Sequence, residues 1–203
     1  MLFRSLILSC LLFAATHASA ATLMVYGDSL SAGYGLPRGT DWVHLLAQRL
    51  QAKKSDYKVV NASISGETTL GGLKRIDAAL RDHRPAVTVL ALGANDGLRG
   101  ADLAAMRTNL ERIIDAAQRA GSRVVLVGMR IPPNYGTAYA ERFQASFGDI
   151  ARSRRVPLVP FLLEGFADRE SYFQADNLHP APAAQPLMLE TVWKTLAPVI
   201  KVK

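Results

Sequence analysis

A small set of polar residues has the types and spacing to do chemistry together. Ser29 stands in the run Gly27-Asp28-Ser29-Leu30-Ser31. A serine hydroxyl is a poor nucleophile until a neighbouring base takes its proton. Of the four histidines, His17 falls in the N-terminal segment, and His44 and His83 fall in stretches of helical period. His179 alone sits in a loop with a carboxylate beside it, in Asp176-Asn177-Leu178-His179-Pro180. A turn over those three residues would bring Asp176 to the imidazole and fix its tautomer. Gly66, in Ser65-Gly66-Glu67-Thr68, and Asn95, in Gly93-Ala94-Asn95-Asp96, add donors. A glycine lets a backbone N–H approach closely, and an asparagine offers its side-chain amide. With the N–H of Ser29 they would form a three-donor oxyanion hole, each donor worth about 3 kcal/mol in the transition state of acyl transfer. Each run also has a plainer reading. Gly-Asp-Ser is turn chemistry, Asp28 or Ser29 could cap a helix, and Asp176, Gly66 and Asn95 could punctuate loops. Asp96 reads as structural support.

The elements that must position these residues follow from hydrophobic period. Short β-branched or apolar runs at 22–26, 58–60, 87–92 and 123–127 read as strands, the third buried on both faces. A fifth at 157–160 carries prolines at both ends and is expected at an edge. Between them, Trp42, Leu45, Leu46 and Leu50 mark one helix, and Leu70, Leu73, Ile76 and Leu80 a second that ends before Pro85. Leu103, Met106, Leu110, Ile113 and Ile114 mark a third, closed by Gly121, and Tyr139, Phe143, Phe147 and Ile150 a fourth. A last helix runs from about Ala184 towards Ile200. This alternation predicts a doubly wound, parallel five-stranded sheet in a three-layer α/β/α sandwich. Ligands of such sheets sit beyond the carboxyl ends of the strands. The Ser29, Gly66 and Asn95 runs follow the first three strands and therefore open at one end.

The N-terminus is read apart from the fold. Arg4, an apolar stretch through Ala15 and the small residues Ala18-Ser19-Ala20 form the pattern of a secretory signal peptide. Residues 1–20 are therefore expected to be cleaved, leaving 21–203 as one domain in the periplasm or outside the cell. The apolar stretch is short of the ~20 residues a spanning helix needs, so no stable membrane anchor is expected. Cys10 is the only cysteine and leaves with that segment. Net charge falls from +7 to +6, because Arg4 is the only charged residue removed. The charges are dispersed, and Arg152 to Arg155 read as a solvated helix end. No basic stripe with interleaved aromatics suggests nucleic-acid binding. No second histidine or cysteine is spaced to join His179 in a metal site, and no cofactor is expected. There is no Gly-x-Ser-x-Gly elbow, dinucleotide fingerprint or P-loop.

Taken together, Gly27-Asp28-Ser29-Leu30-Ser31, Ser65-Gly66-Glu67-Thr68, Gly93-x-Asn95-Asp96 and Asp176-x-x-His179-Pro180 resemble the four signature blocks of the SGNH (GDSL-type) hydrolase family. The extended runs from Gly27 to Tyr34, Gly93 to Gly100 and Ile131 to Gly136 are similar to those of the family's bacterial periplasmic thioesterases and lysophospholipases. The resemblance implies a flavodoxin-like fold. It implies Ser29 as nucleophile, His179 as base then acid, Asp176 as its orienting carboxylate, and Ser29, Gly66 and Asn95 as oxyanion hole. It implies small-molecule acyl ester, thioester or lysophospholipid substrates. Leu98, Met129, Ile131 and Pro132 follow the third and fourth strands and are expected to border an acyl-chain groove. A monomer is expected. The alternatives are a carbohydrate acetylesterase of the same family and a flavodoxin-like binding module without turnover.

Overall fold

The computed structural model describes residues 20–202. The segment read as a signal peptide lies outside the described residues, save Ala20. Five strands form one sheet: β1 (Ala21–Gly27), β2 (Tyr57–Asn61), β3 (Val87–Ala91), β4 (Arg123–Val127) and β5 (Leu158–Val159). Every pairing is parallel, in the order β2-β1-β3-β4-β5. The chain steps from β1 outward to β2, then returns across β1 to β3. The loops leaving β1 and β3 thus part to opposite faces, and a crevice opens between them.

Helices cover both faces. On one face, α2 (Trp42–Ala52) and α7 (Gln185–Ile200) pack Trp42, Leu46, Met188 and Val192 against Leu23, Val25, Val89 and Val125. On the other, α3 (Thr69–His83), α5 (Leu103–Arg119) and α6 (Thr137–Arg154) pack Ile76, Leu110, Ile113 and Phe143 against Met24, Tyr26, Leu90 and Leu126. Alternate residues of each central strand serve opposite cores, as the period of two requires. The long helices start where side chains take up orphan N–H groups. Asp41 accepts from the His44 N–H, Thr68 from Gly71, and Asp102 from Ala104 and Ala105. The α3 helix stops at Arg84, in the left-handed region, one residue before Pro85.

Two short helices escape the period, because one turn is too short to show it: α1 (Ser29–Ala32) and α4 (Ala94–Leu98). Ser29 and Asn95 thus sit in the first turn of a helix and not, as expected, in open loops. Gly93, at φ 118°, explains why β3 ends before the expected residue 92: it turns the chain out of the strand at once. The proline-flanked strand β5 lies at the edge and is two residues long. Among the described residues, no helix is long and apolar enough to cross a membrane.

Candidate active site

The loops after β1, β2 and β3 and the loop before α7 meet in one cleft of about 160 Å3. Ser29, Gly66, Asn95, Leu98, Met129 and His179 all line it. Ser29 Oγ lies 2.9 Å from His179 Nε2, and His179 Nδ1 lies 2.7 Å from Asp176 Oδ2. Asp176 Oδ1 accepts the N–H groups of His179 and Leu178, both at 2.9 Å. Those two amides, then the imidazole, hold its carboxyl down at about 2. An ionised carboxylate can only accept, so Nδ1 of His179 carries the proton and Nε2 is left to accept from Ser29. The tight turn that closes this Asp-x-x-His run passes through Asn177 at φ 56°. The ring of Tyr34, half-exposed, lies 4.5 Å from the imidazole and is tilted 40° to it.

Beneath the serine, Asp28 caps α1 by accepting the Leu30 N–H at 3.0 Å. The capping reading of this run and its chemistry are therefore compatible, because one residue caps and the next faces the cleft. Asp28 is buried, and desolvation pushes its carboxyl up to about 7. Gly27 is needed for a different reason. A Cβ there would stand 2.9 Å from Ser31 Oγ and 3.0 Å from the Ala91 carbonyl, where β1 and β3 run side by side.

The donor side of the cleft is held by a polar network. Asn95 Nδ2 gives one hydrogen to the Glu67 carbonyl at 3.0 Å, which leaves its second N–H for the cleft. Gly66 sits at φ 78° with nothing within 4 Å of where a Cβ would be, so its constraint is conformational and not spatial. Buried Asp96 accepts from the Thr69 N–H at 2.9 Å and from the Thr69 hydroxyl at 2.6 Å, and so ties α4 to the start of α3. Arg75 donates to Glu67 at 2.5 Å and to the Ala62 carbonyl at 2.8 Å, over the face of Tyr26.

A second hollow of about 420 Å3 adjoins the first, and Ala94, Leu98, Met129 and Leu178 line both. Ile131 and Pro132 line only the second, together with Phe161, Leu163 and Phe173. Ile131 is itself buried, its side chain packed in the α5–α6 core. Sequence reasoning missed Tyr34, Leu178, Phe161, Leu163 and Phe173, which show no period. The only local sign was Tyr34 between Gly33 and Gly35, both at positive φ. A larger groove of about 840 Å3 between α5 and α6 is lined by Arg107, Glu111, Arg142 and Asp149 and holds no histidine beside a nucleophile.

The sequence profile of the GDSL-like lipase/acylhydrolase family matches residues 25–186, a span that takes in all four loops. The chain belongs to that family. It is an enzyme of the acyl hydrolase class. Esterase TesA of Pseudomonas aeruginosa is 46% identical over 200 residues, covering 97% of this chain and 100% of that protein. The thioesterase 1/protease 1/lysophospholipase L1 of Escherichia coli is 40% identical over 183 residues, covering 90% and 86%. The crystal structure of TesA superposes with a TM-score of 0.86 at 48% identity, covering 88% of this chain and 99% of that one. A psychrotrophic esterase, EstA, from Pseudoalteromonas sp., solved inhibited by monoethylphosphonate, gives 0.85 at 39% identity, covering 89% and 98%. The parallel sheet flanked by helices is thus the SGNH hydrolase fold.

Proposed function

We propose that the chain is an exported serine hydrolase that cleaves acyl esters, acyl thioesters and lysophospholipids through an acyl-enzyme on Ser29. The observation that carries this reading is the line from Ser29 Oγ through the His179 imidazole to Asp176, at 2.9 and 2.7 Å. Ser29 Oγ attacks the acyl carbon while His179 Nε2 takes its proton. The imidazolium that forms is stabilised by Asp176, already ionised. The oxyanion is received by the Ser29 N–H, the Gly66 N–H and the free amide hydrogen of Asn95. The tetrahedral adduct then collapses, the leaving alcohol or thiol takes the proton from His179, and water repeats the sequence on the acyl-enzyme. That an esterase with this fold is inhibited by a phosphonate supports a nucleophile of this kind.

The apolar hollow beyond Leu98 and Met129 favours an acyl chain over acetate alone, and that Leu98, Met129, Ile131 and Pro132 line it supports reading them as the border of an acyl-chain groove. The names of the relatives, esterase and thioesterase/lysophospholipase, agree with that range. Export rests on the N-terminal pattern, and β1 begins at Ala21, so cleavage after Ala20 leaves the strand whole. Acyl-CoA is a cytosolic metabolite, which makes lipid esters and lysophospholipids the better natural substrates of an exported enzyme.

Two measurements test the reading. Ser29→Ala abolishes hydrolysis of p-nitrophenyl esters with an unchanged circular dichroism spectrum, and turnover by that variant refutes the nucleophile. Across a p-nitrophenyl ester series, rates persist from acetate to longer acyl chains, whereas activity confined to acetate points to the carbohydrate acetylesterase.

A further inference from the structure

The histidine loop and the nucleophile turn are 150 residues apart, and among the described residues one hydrogen bond between side chains joins them directly, that of Ser29 to His179. Such a contact cannot by itself fix the distance it spans, and misplacement by about 1 Å can cost two orders of magnitude in rate. Two glutamines outside the candidate triad close the gap. Gln185, in the first turn of α7, is 1% exposed. Its Oε1 accepts the Trp42 N–H at 3.0 Å, one of the orphan donors at the start of α2. Its Nε2 donates to the carbonyls of Pro180 at 3.2 Å and Ala181 at 3.4 Å. The buried Trp42 ring in turn donates from Nε1 to the carbonyl of Leu30, next to Ser29, at 3.1 Å.

Gln174 arrives from the other side. Its Nε2 donates to the Tyr34 carbonyl at 2.9 Å, beyond the end of α1, and to the Pro180 carbonyl at 3.2 Å. Its backbone N–H donates to the His179 carbonyl at 2.8 Å. Both amide groups therefore spend both hydrogens on carbonyls, and the two lone pairs of Pro180 O are both taken. Gly35 makes room for this arrangement, since a Cβ there would stand 2.1 Å from Gln174 Oε1.

We propose that Gln174 and Gln185 are positioning residues which, by holding the Pro180 carbonyl from two sides and linking it to the nucleophile segment, Gln174 directly at Tyr34 and Gln185 through Trp42 at Leu30, set the reach of His179 Nε2 to Ser29 Oγ. The proposal rests on the serine hydrolase reading of Ser29. Neither glutamine touches the reacting atoms, and neither lines the apolar hollow. Their loss should therefore slow the chemical step and leave substrate binding alone.

The test compares Gln174→Met, Gln185→Met and Gln185→Glu with the parent enzyme. It reads kcat and KM on p-nitrophenyl butyrate, the rate of labelling by a fluorophosphonate, and the urea midpoint. Each methionine variant lowers kcat and the labelling rate together, by about tenfold, with KM within about twofold. Gln185→Glu still accepts from Trp42 but sets a carboxylate against two carbonyls, and falls at least as far. Gln174 is only half-buried, so its methionine variant keeps the parent's urea midpoint and reports positioning free of any folding defect at Gln185. Parental kcat and labelling rate in folded Gln174→Met overturn the proposal, as does a rise in KM alone. A parent enzyme that takes no label overturns the serine hydrolase reading itself, whereas equal labelling of parent and Gln174→Met overturns only the positioning role.

Discussion

Asp176 and Asp28 are two carboxylates near one serine with opposite environments. Asp176 accepts two backbone amides and the imidazole at the protein surface, which keeps it ionised down to about pH 2. His179→Ala removes the base hydrogen-bonded to Ser29 and should lower kcat about as far as Ser29→Ala. Asp176→Ala leaves the Ser29–His179 pair and should cost less, on the order of 10²–10⁴-fold against up to ~10⁶-fold, read from kcat on one ester. Equal losses would mean that Asp176 sets the position of the loop and not only the tautomer. Asp28 is buried and pushed up to about 7 by desolvation. Its proton is lost near pH 4 in the unfolded chain and only near pH 7 in the folded one. The unfolded state thus binds fewer protons across that window, and folding stability falls as pH rises from about 4 to about 7. Asp28→Asn keeps the cap and removes the titration. It should match the parent near pH 4 and exceed it at pH 8, by roughly 1–3 kcal/mol in urea unfolding. Parallel stability curves for the two proteins would show that Asp28 does not titrate in this window.

At the scale of elements, the glycines divide by what holds them. Gly66 is free in space and constrained only in φ, so Gly66→Ala should cost about 1–2 kcal/mol of stability while lowering kcat, because the strained turn re-aims the N–H. Gly128, directly after β4, is confined by its neighbour strand instead. A Cβ there would meet the Pro160 carbonyl at 2.5 Å and the Val159 carbonyl at 3.1 Å. Gly128→Ala must push β5 from the sheet edge, and should lower stability by about 1–3 kcal/mol in urea unfolding. A fully stable variant would show that the two-residue edge strand yields without cost. The short helices α1 and α4 belong to the same scale. Each starts within three residues of the end of a parallel strand, so the one or two residues between them, Asp28 before α1 and Leu92-Gly93 before α4, aim the first helical turn at the cleft.

The described residues form two cores separated by one sheet. Leu46 lies in the core under α2 and α7, and Ile113 in the one under α3 and α5. Leu46→Ala should cost about 2–5 kcal/mol and Ile113→Val about 0.5–1.5 kcal/mol. Because the two residues lie in different cores on opposite faces of the sheet, the double variant should lose their sum within about 0.5 kcal/mol. A larger discrepancy would mean that the sheet transmits strain from one core to the other.

Much of this was legible in the residues themselves. Alternation of β-branched runs with amphipathic segments determines a parallel sheet covered on both faces, because only that arrangement buries both kinds of apolar face. Prolines at 157 and 160 place the fifth strand at the edge, because they cannot donate to a ladder. The residue types and their order single out Ser29, Gly66, Asn95, Asp176 and His179. What periodicity could not reach were contacts between distant segments with no repeat of their own. The burial of Asp28, the shared wall of the two hollows, and the glutamine contacts from Gln174 to Tyr34 and from Gln185 to Trp42 span up to 143 residues and leave no local mark. They exist only once β1 is flanked by β2 and β3 and the last helix packs back beside α2, because that packing alone brings a serine near the start of the fold to a histidine near its end.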